Sequence, residues 1–455
     1  MEVLKLKDTG FLMNYIFTAG LMYGLAALAA LFCLGVSAAG AEEKKPPAKA
    51  VIQIWLAGGL SQLDTFDPKP NAGPDYCGPY NKPIPTNVEG IQISQMLPLL
   101  AKQADKYVIL RGITHNNNGH ETAACLVQTG RKPVEGLMFP GVSSVISYFK
   151  GYNGGYTGML PPNIIITAPL GRFSEAGFLG SRYKSFATGS DPSKQPFAVE
   201  GIISEKITLE RQHDRRELLK SLDTFGREMN QDPAVKAIDA CQEQAYAVIL
   251  GDAGKAFDLA EEKKELREKY GLNKFGQSCL VARRLVERGV PFITINVPGW
   301  DTHKDHFQEM SRKLPELDKG LAALLQDLAD RKLLDSTIVW VTGEFGHTPK
   351  IQMESPWNGG RGHYGKAFSS LIAGGGFRGG KVVGKTDERG ENVVERPIYP
   401  WDLTGSIYIL MGIELNSQMP HPDGRSIAVS PLPGKEIPEK ETGGILKEVM
   451  PDGAK

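Results

Sequence analysis

The sequence predicts an α/β fold built on a largely parallel sheet, with a helical insertion. Short, continuously apolar runs recur along the chain between turn residues, the pattern of strands buried on both faces. Amphipathic stretches alternate with these runs, as where helices cover both faces of a sheet. Glycine is abundant, at 52 of 455 residues, which points to tight turns and close backbone approaches.

The elements follow in order. Ala50–Ala57 is an apolar run ending at Gly58-Gly59, a buried strand that delivers a loop. Residues 73–90 form a Pro/Gly-rich loop, and Tyr107–Arg111 is a second strand. Thr122–Val127 reads as helix and stops at Thr129-Gly130. Asn163–Thr167 is a third strand. Residues 204–270 are charged and helix-prone, which makes them the insertion. Ser278–Arg288 shows helical spacing, Pro291–Val297 is a strand, and Leu314–Leu334 is an amphipathic helix. Ser336–Thr342 and Phe368–Ala373 are further strands. Lys381–Lys385 and Asn392–Glu395 flank Asp387–Gly390 and read as a β-hairpin. One domain over 50–430 is expected, with a mobile Pro-, Gly- and charge-rich tail over 431–455.

The N-terminus has a texture of its own. No charge occurs from Thr9 to Ala41, Lys5 and Lys7 precede that stretch, and Ala39-Gly40-Ala41 offers a small-x-small cleavage site. Residues 1–41 therefore read as a signal peptide, followed by a linker over 42–49. An uncleaved membrane anchor is the alternative, since about 20 apolar residues span a bilayer. Either way the working domain is expected outside the cytoplasm.

Charge and cysteine usage exclude several classes. Lys+Arg and Asp+Glu are 52 each, so no global basic field exists to hold nucleic acid. None of the five cysteines forms a C-x-x-C pair, which excludes a zinc ribbon or thioredoxin-like motif. Gly374–Gly379 matches G-x-G-x-x-G literally, but strand-like residues follow it where a dinucleotide site needs a helix.

The chemistry-bearing residues lie just beyond predicted strands, where open α/β sheets place their sites. Gly299–His306 carries Asp301 and His303, a carboxylate and an imidazole able to converge on one cation. An Asx turn capping the next helix is the structural alternative. Thr342–Lys350 carries Glu344 between glycines, and a solvated turn is its alternative. Trp357–Gly365 carries His363 and Arg361, whose guanidinium could grip an oxyanion through two parallel bonds, although a flexible Gly loop reads the same. Asp64 and Asp67 follow the first strand as ligands or caps. His120 lies in the segment that precedes a helix, whose N-terminal amides favour anions. Together these loops point to a metal-assisted site for an anionic ester.

The segments Ala57–Pro70, Gly299–His303, Gly343–Lys350 and Gly374–Gly380 carry a resemblance to domain-of-unknown-function family 1501, over about residues 50–429. That family is similar to the alkaline phosphatase and sulfatase superfamily. The resemblance implies a three-layer α/β/α sandwich, alkaline-phosphatase-like, with metal ligands at strand ends. It implies hydrolysis of sulfate or phosphate esters with a divalent metal ion, zinc, calcium or another. Asp301 and His303 match an Asp/His metal pair, Glu344 the Asp of an Asp-His pair, and His363 the last metal histidine. Phe345 stands where that pair's imidazole is expected, His120 stands in the nucleophile's place, and Asp64 substitutes for a strand-end aspartate.

Two functions follow as expectations. One is a secreted metal-dependent hydrolase of sulfate or phosphate esters. Asp301, His303, Glu344, His363 and Asp64 would hold the metal, His120 would be nucleophile or base, and Arg361 would steady the anion. Its partner would be an anionic ester or a sulfated polysaccharide, with no nucleic acid, and with membrane contact only through an uncleaved N-terminus. The other is a catalytically degenerate extracytoplasmic binding protein for anionic polymers.

Overall fold

The computed structural model describes residues 47–171, 175–195, 197, 199, 209–222 and 252–453. The signal-peptide reading over 1–41 lies outside the described residues, as does most of the insertion over 204–270. Of the latter, Leu209–Leu222 is helical, as expected.

Eight strands form the main sheet. They are β1 (Ala50–Leu56), β2 (Tyr107–Ile113), β3 (Asn163–Ile166), β4 (Phe186–Ala187), β5 (Phe292–Val297), β6 (Thr337–Thr342), β7 (Phe368–Ala373) and β8 (Lys381–Val383). Their order across the sheet is β8-β2-β7-β6-β1-β5-β3-β4. β1 is central, parallel to β5 with Val51 opposite Phe292 and to β6 with Ala50 opposite Thr337. Only β7 runs antiparallel to its neighbours. The C-terminal ends of β1, β2, β5 and β6 therefore share one rim with the start of β7.

Alternating side chains feed two layers, as a pleated strand requires. On one face Ile52, Ile54, Ile293, Ile295, Val339 and Val341 join a buried cluster. On the other, Val51, Trp55, Val108, Leu110, Ile338 and Trp340 join a second. Four principal helices cover these faces: α1 (His120–Thr129), α2 (Lys274–Glu287), α3 (His306–Asp330) and α4 (Pro400–Leu410). In α3, Leu314, Leu317, Leu321, Leu324, Leu325 and Leu328 are all buried on the α2 side, the stripe that its spacing predicts. The Asn273 side chain caps α2 by accepting from the Gly276 amide at 2.8 Å. α1 ends at Gly130 in the left-handed conformation, as the Thr-Gly pair predicts.

Several boundaries are corrected. α3 begins at His306 rather than Leu314 and runs through Pro315. Lys381–Val383 is not a hairpin arm but joins the main sheet beside β2; the hairpin pairs Lys385–Thr386 with Val393–Glu395. The tail is packed, because Leu446, Val449 and Met450 fill the second core cluster. The Asp402 carboxylate pins it by accepting from the Gly443 and Gly444 amides at 2.8 and 3.1 Å.

Candidate metal centre

Three loops meet on the rim where β1, β5 and β6 end. Gly58 has φ +104°, and a Cβ there would lie 2.1 Å from the Asp301 nitrogen, so only glycine lets the β1 and β5 loops touch. The Gly58 N–H donates to both carboxylate oxygens of Glu344, at 3.0 Å each. Gly360 does the same for the later loop: a Cβ there would meet the His303 carbonyl at 1.8 Å. His363 and Tyr364 pair antiparallel with Gly346 and His347, which holds His363 beside the β6 loop.

These contacts bring His120, Asp301, His303 and His363 together. Asp301 Oδ1 lies 3.0 Å from Nε2 of both His303 and His363, and Asp301 Oδ2 lies 3.2 Å from His120 Nε2. The two Nε2 atoms of His303 and His363 are 2.8 Å apart. His363 Nδ1 lies 2.8 Å from the Asn118 carbonyl, which can only accept, so the neutral ring carries its proton there and offers a lone pair at Nε2. The groups of His120, Asp301 and His363 offer ligand atoms all within 4.8 Å of one another. Imidazole nitrogens with a carboxylate oxygen form a donor set that a divalent transition ion fits.

The electrostatics differ from group to group. Burial pushes the Asp301 carboxyl up, but the His363 hydrogen bond and the His303 and His120 rings outweigh it and hold it low. Burial pushes His363 down, yet the Asp301 and Asn118 contacts leave it raised. For His303, burial and the neighbouring rings win over Asp301 and favour the neutral, ligand-competent form.

Glu344 reaches the cluster through His120, whose Nδ1 lies 2.8 Å from Glu344 Oε1. Its position is therefore that of a buried carboxylate orienting an imidazole. Phe345 packs beneath, with its ring stacked on His363 at 4.2 Å and 5.1 Å from His120. His115 pins the same floor, with Nε2–H donating to the Glu344 carbonyl at 2.7 Å. Burial pushes its pKa down to about 4, so the ring stays neutral.

Asp64 and Arg361 are not brought into this group. Arg361 is fully buried, and its Nε lies 2.8 Å from Asp64 Oδ2. Its remaining donors go to the Thr348, Pro349 and Tyr76 carbonyls, which leaves no fork for a substrate anion. Asp64 also accepts from His306 Nε2–H at 2.8 Å, and the Thr302 hydroxyl closes the chain on His306 Nδ1 at 2.6 Å. Burial alone would raise the Asp64 carboxyl, but Arg361 and then His306 hold it far below the usual range. The expected anion clamp is instead an internal brace between the β1, β5 and β6 loops. A buried guanidinium without a carboxylate would be too costly, so the residue that looked free for substrate is spent on Asp64.

Sequence reasoning missed His115, His306 and His347 as pins, and the Asn118 carbonyl as the partner that fixes His363. The buried Nε2–H of His347 donates to the Gly58 carbonyl at 2.9 Å, and burial pushes its pKa down to about 3. The strand-end position of each histidine was the available signal, but it does not separate a ligand from a brace.

Fold and site together define an α/β protein with a histidine–carboxylate cluster on the strand-end rim, suited to a cation. The family model described as protein of unknown function (DUF1501) matches residues 48–440, and the chain belongs to that family. No curated protein matches it significantly. Solved structures to which it is similar include the lipoteichoic acid synthase LtaP from Listeria monocytogenes, at 9% identity and TM-score 0.38, covering 87% of this chain and 78% of that one. The PsFucS1 sulfatase from Pseudoalteromonas sp. is similar at 14% identity and TM-score 0.35, over 82% of this chain and 69% of that one. The phosphonate monoester hydrolase SpPMH from Silicibacter pomeroyi is similar at 12% and 0.35, over 85% and 78%. Likeness at this level bears on neither activity nor substrate. Among the described residues, no helix is long and apolar enough to cross a membrane.

Proposed function

We propose that this chain is an extracytoplasmic metal-dependent hydrolase of sulfate or phosphate esters. One observation carries the reading: Asp301 is ringed by Nε2 of His120, His303 and His363 at 3.0–3.2 Å. Neutral rings cannot supply protons to every one of these contacts, so the cluster is built for a cation. Asp301, His303 and His363 would hold it. The mixed nitrogen and oxygen donors suit zinc or a similar ion better than calcium, which prefers oxygen alone. When bound, a divalent cation polarises an ester oxygen and offsets its charge.

His120 acts as nucleophile or general base in this reading. Glu344 accepts the Nδ1 proton and fixes the tautomer, which leaves Nε2 as the reactive nitrogen on a side chain 48% exposed. His120 is also the first residue of α1, whose N-terminal amides and dipole favour an approaching anion.

The test is metal analysis and turnover on aryl-sulfate and aryl-phosphate panels. Wild type should carry about one equivalent of metal, and His363→Ala should lose it; negligible metal in both rejects the centre. His120→Ala should keep the metal and lose turnover by about 100-fold or more. Loss of metal in that variant would make His120 a ligand instead.

A second reading is favoured by Phe345, which fills with an apolar ring the place where a second imidazole is expected. It is a catalytically degenerate binding protein for anionic polymers. Polymer affinity with no turnover across both panels would establish it.

A further inference from the structure

A cavity opens beside the segment that leads into His120. It is an open cleft of about 610 Å³, and Asn116 and Asn117 form one wall. The same segment continues into Asn118, whose carbonyl fixes His363, and into His120. The backbone of residues 116–120 therefore runs from the cleft to the centre. Tyr399 and Trp401 also line it, stacked at 5.3 Å with only 8° between their planes. Trp401 is buried, and its Nε1–H donates to the Glu441 carbonyl at 2.8 Å, so it backs Tyr399 as a rigid support. Lys132 and Lys440 stand at the edge. Glu441 engages Lys132 at 2.5 Å, and Lys440 is exposed.

We propose that this cleft is a subsite for a sugar unit of an anionic oligosaccharide, whose ester-bearing neighbour lies at the metal centre. The lining chemistry selects that ligand. A supported aromatic face suits the C–H face of a pyranose ring. The Asn116 amide suits hydroxyls as donor and acceptor, while Asn117 Oδ1 already accepts from the Gly119 N–H and the Thr122 hydroxyl at 2.9 and 2.7 Å. The Lys440 ammonium, whose partner is not Glu441, suits a sulfate or phosphate substituent. The cleft is too polar for a lipid chain. This proposal rests on the hydrolase reading for the role of the centre, but binding in the cleft needs no turnover.

Calorimetry on the full chain decides the matter. The probes are a sulfated galactan hexasaccharide, its desulfated form and adenosine monophosphate. Wild type should bind the sulfated hexasaccharide, and His363→Ala should bind it more weakly without losing it, because the cleft contacts remain. Tyr399→Ala should weaken binding at least tenfold. Lys440→Glu, at an exposed position that leaves the fold intact, should weaken the sulfated probe at least tenfold and the desulfated one less than threefold. Wild-type affinity in Lys440→Glu, or no hexasaccharide binding at all, overturns the subsite. Tighter binding of the nucleotide, sensitive to Tyr399→Ala, overturns it in favour of a nucleotide site. Hexasaccharide binding without any aryl-ester turnover leaves the subsite standing and removes the hydrolase.

Discussion

His120 stands between two carboxylates, and the other conspicuous residues are arranged around holding it and Asp301 in place. Gly58 is the most exposed to a test. A Gly58→Ala change places a methyl 2.1 Å from the Asp301 nitrogen and demands an unfavourable φ of +104°. We expect a loss of at least about 2 kcal/mol in urea unfolding, together with loss of bound metal. Asp64→Asn should be comparably severe, about 3–5 kcal/mol, because it leaves Arg361 charged and buried without its counter-ion. The same measurement checks it. Arg361 also shows where the sequence misled. A guanidinium in a Gly-rich loop looks like an anion clamp, but its burial and its carboxylate partner lie far away in the chain at Asp64. By contrast the convergence of Asp301, His303 and His363 was legible from their strand-end loops, although that position alone does not tell a ligand from a brace such as His115 or His347.

The elements follow the sequence wherever periodicity was strong. The apolar runs at β1, β5, β6 and β7 and the leucine stripe of α3 all formed as read. What escaped was local or weakly patterned. α4 is buried on nearly every side, Asp402, Thr404 and Ser406 included, so no amphipathic period marks it. β8 is a three-residue edge strand, too short for a periodic signal. The tail looked mobile because Pro and Gly dominate it, while three apolar residues anchor it. Leu446→Ala should therefore cost about 2–5 kcal/mol, read as a lowered urea midpoint with unchanged slope. A surface tail would show no change.

The molecule as a whole responds to pH through its neutral buried histidines. His115 and His347 have folded values of about 4 and about 3, below the ordinary 6.5. Above pH 6.5 both states are neutral and their contribution is constant. Below it the unfolded chain takes up protons that the folded chain refuses, so stability falls as pH falls. The loss levels off below about 4 for His115 and about 3 for His347. At pH 5 it should amount to roughly 2 kcal/mol per ring against pH 7.5. Denaturant titrations at the two pH values check this, and a His115→Asn variant should halve the difference.

The central place of β1 has a consequence for biosynthesis. β1 is among the first described segments to leave the ribosome, but both strands that flank it, starting at Phe292 and Thr337, are made much later. Until then the nascent chain presents a ribbon that is apolar except at Gln53, with two bare edges, the feature most prone to pair with a neighbouring polypeptide. A holding chaperone would have to shield that ribbon throughout most of translation.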